Sequence, residues 1–174
     1  MKLQIRNPKG HYDQEKTINI FEAAEIGSLP AVLYYYINNT NAIFEVNPPD
    51  DMAPIHYAAI NGHINILEFL INKNVMVDSL TVKRETPLML ACFHGRVLAV
   101  EYLLEKGAVI DRPNENRFNP IHFAISNGHL DVVKLLVQWK AVKYYKNAYG
   151  QTPLEMARAG EWPEIVKYLK PLCA

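Results

Sequence analysis

Four prolines stand 33 residues apart, at positions 54, 87, 120 and 153. Each lies in a six-residue segment that ends in alanine, and the segment at 86–91 reads Thr-Pro-Leu-Met-Leu-Ala. A fixed period of this length is typical of stacked-repeat proteins, because one unit cannot bury its apolar face alone and neighbouring units bury it together. The period therefore constrains the fold more strongly than any local secondary-structure signal.

Each period contains two helical segments joined by a glycine turn. In the third period Pro87 opens the first segment, Gly95 follows it, and apolar residues between Val97 and Leu104 recur at the spacing of a one-faced helix. Proline suits the first turn of a helix, and glycine adopts the left-handed backbone of a tight reversal. The pattern predicts antiparallel helix pairs in an all-α repeat solenoid.

The two ends of the chain depart from this pattern. We expect residues 1–16 to form an irregular N-terminal extension. The first helix pair lacks the proline segment and starts near Ile18, with Thr17 or Asn19 as its cap. We expect one repeat domain at 17–174, with units at 17–50, 51–83, 84–116, 117–149 and 150–174.

The chain resembles the ankyrin-repeat family. The resemblance rests on the segments similar to Thr-Pro-Leu-His-x-Ala, on the turn glycines Gly62, Gly95 and Gly128, and on Gly107-Ala108. It implies five repeats, with the first and last as caps. It also implies a stack of antiparallel helix pairs with short β-hairpin-like finger loops and a concave groove.

The finger loops depart from the family's pattern. The family has a glycine three residues before the proline, and here only Gly150 keeps it, whereas Asp51, Arg84 and Arg117 replace the others. A left-handed conformation costs such residues about 1 kcal/mol each. We therefore expect altered finger shapes in repeats two to four.

Histidines are the main candidates for metal binding or catalysis. His56 and His122 lie in the repeated segments, and His63 and His129 follow turn glycines. The resemblance implies that their rings bond to backbone between repeats, and no cysteine or carboxylate pattern supplies zinc-like spacing. His94 replaces the asparagine found before the other turn glycines, and we expect it to face the groove.

Charge and motifs exclude several functions. Lysine plus arginine balances aspartate plus glutamate at 18 each, so no broad charge favours nucleic acid or an acidic membrane. There is no long apolar run, nucleophile motif or phosphate-binding loop. We expect no enzyme, cofactor, metal or membrane insertion. Two cysteines form no disulfide framework, which favours the cytoplasm, with nuclear or cytoskeletal association as alternatives.

The family grips its partners with finger tips and inner-helix ends. At the matching positions this chain carries large apolar or cationic side chains that we expect to be exposed. The candidate partner-binding residues are Met52, Ile60, Lys83, Arg84, Phe93, His94, Arg117, Phe118, Trp139 and Tyr149. The alternative is that some of them, Phe93 and Phe118 especially, pack on adjacent repeats.

These expectations favour a non-enzymatic protein–protein interaction module, acting as an adaptor or a small subunit of a larger assembly. Its partner would be another protein, bound through the groove and the finger loops. The alternative is a regulatory inhibitor of an enzyme such as a protein kinase, which is an analogy from architecture.

Overall fold

The structure, a computed structural model, describes the backbone of residues 2–3 and 16–173 and the side chains of residues 18–173. Within those residues ten α-helices form five consecutive pairs. They are α1 Ile20–Glu25, α2 Leu29–Asn38, α3 Pro54–Asn61, α4 Ile64–Asn72, α5 Pro87–Phe93, α6 Val97–Glu105, α7 Pro120–Ser126, α8 Leu130–Gln138, α9 Pro153–Ala159 and α10 Pro163–Leu169. Short 3₁₀ turns follow α2 at Ala42–Phe44 and α10 at Lys170–Leu172.

The helices stack in two rows. The odd-numbered helices α1 to α9 pack on one another as an inner row, and the even-numbered helices α2 to α10 pack behind them as an outer row. Each helix also packs against its pair partner. This arrangement confirms the all-α repeat solenoid.

The inner helices start where the prolines predict. The hydroxyl of Thr86 accepts a hydrogen bond from the Met89 N–H at 3.2 Å, and Pro87 occupies the first helical position, where its missing N–H costs nothing. In the first pair Asn19 takes the capping role, with Glu22 bonding back to the Asn19 N–H at 3.0 Å.

The core lies between the two rows. Leu67, Leu103 and Leu136 are fully buried on the outer helices, and small residues such as Ala91 let the inner helices approach closely. Cys92 is also buried, and burial raises the pKa of its thiol. It is therefore a core residue, as its position predicts.

The turn glycines leave room for a side chain of the following repeat. Gly95 has a φ of 66°, and a Cβ there would lie 2.6 Å from Nδ1 of His129. The His129 Nε2 lies 2.9 Å from the Phe93 carbonyl oxygen. Arg96 makes the equivalent contact one repeat earlier, its Nε donating to the Ile60 carbonyl at 2.8 Å. These contacts lock consecutive turns together.

Residues 2–3 and 16 of the extension that we expected to be irregular lie in strands. Lys2–Leu3 (β1) and Lys16–Thr17 (β2) pair as antiparallel strands, with Lys2 opposite Thr17. Residues 1 and 4–15, including His11, lie outside the described residues.

Candidate partner-binding face

The fingers of repeats three to five share one backbone turn. In the third repeat the Arg84 N–H donates to the Thr81 carbonyl at 2.9 Å, and the Thr81 N–H donates to the Glu85 carbonyl at 3.1 Å. The same pair of bonds closes the turns at 114–118 and 147–151.

The expectation of altered shapes is wrong for Arg84 and Arg117. Their φ angles are 59° and 58°, in the left-handed region that Gly150 occupies with 76°. Asp51 is also left-handed, at 53°, but its finger closes between Asn47 and Met52 and is one residue longer. Only the second finger therefore differs in shape.

Neighbouring fingers are joined by backbone hydrogen bonds. The Val82 N–H donates to the Asp50 carbonyl at 2.9 Å. The Glu115 N–H donates to the Lys83 carbonyl at 3.3 Å, and the Ala148 N–H donates to the Asn116 carbonyl at 3.0 Å. These bonds hold the four fingers in a row and oppose the strain at the left-handed arginines. The finger row therefore presents its tip side chains from a fixed backbone.

Aromatic side chains form a continuous contact path beside the finger row. Ring centroids are 6.1 Å apart from Tyr149 to Phe118, 6.2 Å from Phe118 to Phe123, 6.2 Å from Phe123 to Phe93 and 5.2 Å from Phe93 to His94. Every contact is edge-to-face, an arrangement that aromatic quadrupoles favour. We call these five residues the aromatic row; it crosses from the fifth finger to the end of α5.

Exposure divides the aromatic row. Tyr149 is 76 % exposed, and His94 is also exposed. Phe118 and Phe93 are half-buried and pack against the core, and Phe123 is buried. Phe93 thus contacts the next repeat through Phe123, which agrees with the packing alternative for the two phenylalanines. Tyr149 and His94 are the freely accessible members.

Apart from Trp139, the remaining candidates lie on the finger tips and in the second repeat. Lys83, Arg84 and Arg117 are exposed on the finger tips, and the Arg117 guanidinium lies 5.5 Å from the Tyr145 ring centroid. Met52 and Ile60 are half-buried in the second repeat.

Trp139 stands apart from the other candidates. It caps the C-terminus of α8 in the outer row, is 41 % exposed, and lines a shallow depression with Gln138 and Lys140. The structure does not bring it to the finger row or to the aromatic row.

Sequence reasoning missed Phe123. It occupies the variable fifth position of the repeated segment, where the other repeats have Tyr57, Leu90 and Met156. Each of the four repeats has a different residue at this position, and that variability is the signal that could have identified it. Without Phe123 the ring contacts between Phe118 and Phe93 are not continuous.

The charged groups near this face are mostly unpaired. One ion pair is found among residues 18–173, and it joins Lys134 to Asp131 on α8. Within those residues Lys83, Arg84 and Arg117 therefore have no carboxylate within 4.0 Å. Partial burial raises the pKa of the Glu85 carboxyl, against the opposing effect of Lys83. Partial burial, Arg96 and His129 lower the pKa of His94.

The buried histidines have a structural arrangement. Nδ1 of His56 accepts from the Ala53 N–H at 3.0 Å, and Nε2 lies 3.0 Å from the Ser79 carbonyl in the link to the next repeat. His122 has its Nδ1 2.6 Å from Asn119 Oδ1, but no described group bonds its Nε2. Burial lowers the pKa of His122 to about 4.

Neither a cluster of metal-ligand side chains nor a membrane-spanning helix is found in the described part of the chain. No group of three or more histidine, cysteine, aspartate or glutamate side chains within residues 18–173 is arranged to hold a metal ion. No described helix is both long and apolar enough to span a bilayer.

Comparison with known proteins gives two overlapping matches. A family model described as ankyrin repeats (3 copies) matches residues 20–114, and another described as ankyrin repeats (many copies) matches residues 103–157. A search of curated proteins finds no significant match. Ankyrin repeats generally mediate protein–protein interaction and are typically non-enzymatic. Since the first match alone spans more than half of the 174 residues, the chain belongs to the ankyrin-repeat family.

Proposed function

We propose that the chain is a non-enzymatic adaptor, or a small subunit of a larger assembly, that binds another protein through its finger row and inner helices. The observation that carries this proposal is the aromatic row, with Tyr149 at its open end. A largely exposed tyrosine on a fixed backbone is favoured at binding hot spots, because it offers a large contact area at little cost in conformational entropy.

The proposed contact surface extends from Tyr149 along the fingers to the second repeat. It comprises the finger-tip cations Lys83, Arg84 and Arg117, the exposed His94 and the accessible edges of the two half-buried phenylalanines. Met52 and Ile60 continue it into the second repeat, and Trp139 would belong to a second contact area. We further propose that residues 17–174 form the binding domain and that the chain acts in the cytoplasm.

Affinity capture with two matched variants tests this proposal. Tagged chain is used to retain proteins from an extract of the source cell, which are then identified by mass spectrometry. Tyr149→Ala should reduce recovery of the specific partner by about tenfold or more, the effect expected of a hot-spot residue. Tyr144→Ala is the control, since Tyr144 is 62 % exposed but lies outside the finger at 147–151, with its hydroxyl donating to the Leu172 carbonyl at 3.4 Å.

Equal recovery with both variants would contradict the proposal. The inhibitor alternative is examined with the same material. If the captured partner is an enzyme, addition of the purified chain should leave its activity unchanged under the adaptor proposal, and would suppress it under the inhibitor alternative.

A further inference from the structure

The neutral net charge conceals a strong polarity along the stack. Residues 18–72, which cover the first two helix pairs, hold six acidic residues and no lysine or arginine. Residues 73–174 hold fourteen lysine or arginine residues and ten acidic ones. The stack therefore has an acidic end at the first two helix pairs and a basic end in the residues that follow them.

The polarity is also present on the finger row. The second finger carries Asp50 and Asp51, both exposed, whereas the third carries the exposed Lys83 and Arg84 beside the half-buried Glu85. The fourth finger carries Glu115 and Arg117, and the fifth carries the uncharged Tyr149. As described above, the three finger-tip cations have no carboxylate partner within 4.0 Å among residues 18–173.

These cations lie on the same fingers as the aromatic row or next to them. Arg117 directly precedes Phe118, and the finger of Lys83 is bonded to the finger of Arg117 through the Glu115 N–H. An apolar anchor resting on the accessible edges of Phe118 and Tyr149 would thus place its flanking residues near these three cations. The cations outnumber the acidic side chains of the same two fingers, Glu85 and Glu115. Acidic flanks are attracted there, and they are repelled by Asp50 and Asp51 one finger further on.

We propose that the partner presents an extended acidic segment with an aromatic or large apolar anchor. The anchor packs on the aromatic row, and the acidic residues face Lys83, Arg84 and Arg117. The acidic end of the stack limits how far this segment extends toward the first repeat. This inference rests on the proposed function, because it names the kind of partner that the same face binds.

Basic groups beside aromatic rings are also a feature of single-stranded nucleic acid sites. Two observations favour a peptide. The rings of the aromatic row contact one another edge-to-face, so they do not form a series of parallel open platforms for successive bases. Moreover, Asp50 and Asp51 on the second finger, with four further acidic residues at 18–72, repel a phosphate backbone that continues along the fingers.

The test uses three labelled probes of equal length and fluorescence anisotropy. The first is a synthetic peptide with two adjacent tryptophans flanked on both sides by glutamates. The second has lysines in place of the glutamates, and the third is single-stranded oligothymidylate. At low salt the full chain should bind the glutamate peptide at least about tenfold more tightly than either other probe, and added salt should weaken that binding.

Two charge reversals of equal size locate the site. Lys83→Glu should weaken binding of the glutamate peptide by about tenfold, because it replaces attraction with repulsion at the finger row. Lys106→Glu changes the net charge equally but lies at the C-terminus of α6 in the outer row, and it should change the affinity less than about twofold. Circular dichroism of both variants checks that the helices are retained.

The inference is overturned if the lysine peptide or the oligothymidylate binds as tightly as the glutamate peptide, if no probe binds, or if the two charge reversals have equal effects. Such a failure is distinguishable from failure of the proposed function. If Tyr149→Ala still reduces partner capture from extract, the face binds a protein of different chemistry. If Tyr149→Ala leaves partner capture unchanged, both proposals are wrong.

Discussion

The same position of the repeated segment is occupied by His56, Met89, His122 and Glu155, and these residues have different bonding. Both ring nitrogens of His56 have backbone partners, whereas Nε2 of His122 has none among the described residues. Met89 fills the position in the third repeat without an imidazole and is fully buried. The fold therefore accepts a thioether here, which provides a substitution matched to the site.

His122 should make the stability of the chain depend on pH. Its pKa is lowered from 6.5 to about 4 by burial, so the unfolded chain binds a proton at a higher pH than the folded chain. The stability that neutral His122 provides is complete above pH 6.5 and is lost as the pH falls toward 4, by roughly 3 kcal/mol in total. Burial lowers the pKa of His56 too, with the same sign.

His122→Met tests this dependence. Urea unfolding of the parent chain and of the variant at pH 7 and pH 4.5 should show a smaller loss of unfolding free energy for the variant, because it has no imidazole to protonate at this site. His56 and the carboxylates titrate in both proteins and cancel in the comparison. Equal losses would show that His122 is not protonated on unfolding.

The turn glycines allow a second test at single positions. Gly95 and Gly107 are both left-handed, with φ of 66° and 86°, so alanine is strained at either. Only at Gly95 does a Cβ meet another residue, the ring of His129, and displacing that ring breaks its contact with the Phe93 carbonyl. Gly95→Ala should therefore be less stable than Gly107→Ala by about 1 kcal/mol or more in denaturant unfolding. Equal effects would mean that the turn contact contributes nothing.

Among the elements, α6 provides a test of the outer row. Leu103 is fully buried on this helix, so Leu103→Ala should lower the unfolding free energy by about 2–5 kcal/mol through lost burial and a cavity. Leu98 lies on the same helix and is 70 % exposed, and Leu98→Ala should change it by less than about 0.5 kcal/mol. A thermal midpoint unchanged by Leu103→Ala would contradict the assignment of α6 to the core.

The helices could be predicted from the sequence because proline and glycine fix their ends. Pro87 and Gly95 limit α5 to the residues between them, and apolar spacing identifies the buried face of α6. The finger turns could not be predicted in this way, because Arg84 and Arg117 disfavour a left-handed backbone locally. Hydrogen bonds from neighbouring fingers override that preference, and these bonds join residues 32 positions apart.

At the scale of the whole molecule, the repeat period predicted the stack of helix pairs. With the family resemblance it also predicted that most candidate binding residues lie on the fingers and at the ends of the inner helices. It did not predict the aromatic row, because Tyr149 and Phe118 lie on different fingers and Phe93 lies at the end of α5, so the three meet only once the repeats are packed. Phe123, the residue that connects them, is a buried position and carries no sign of exposure in the sequence. The charge polarity was hidden for a simpler reason. Residues 18–72 carry a net charge of −6 and residues 73–174 one of +4, and residues 1–17 contribute the remaining +2, so the total is zero.

The most direct test of the binding account is hydroxyl-radical footprinting of the chain alone and with its captured partner. Mass spectrometry then measures the oxidation of individual side chains. Binding should protect Tyr149, Phe118 and Phe93, and should leave Tyr144 and Met76, which are exposed outside the finger row, as reactive as before. Protection of Tyr144 and Met76 with unchanged oxidation of Tyr149 would contradict the assignment of the finger row and the aromatic row as the binding face.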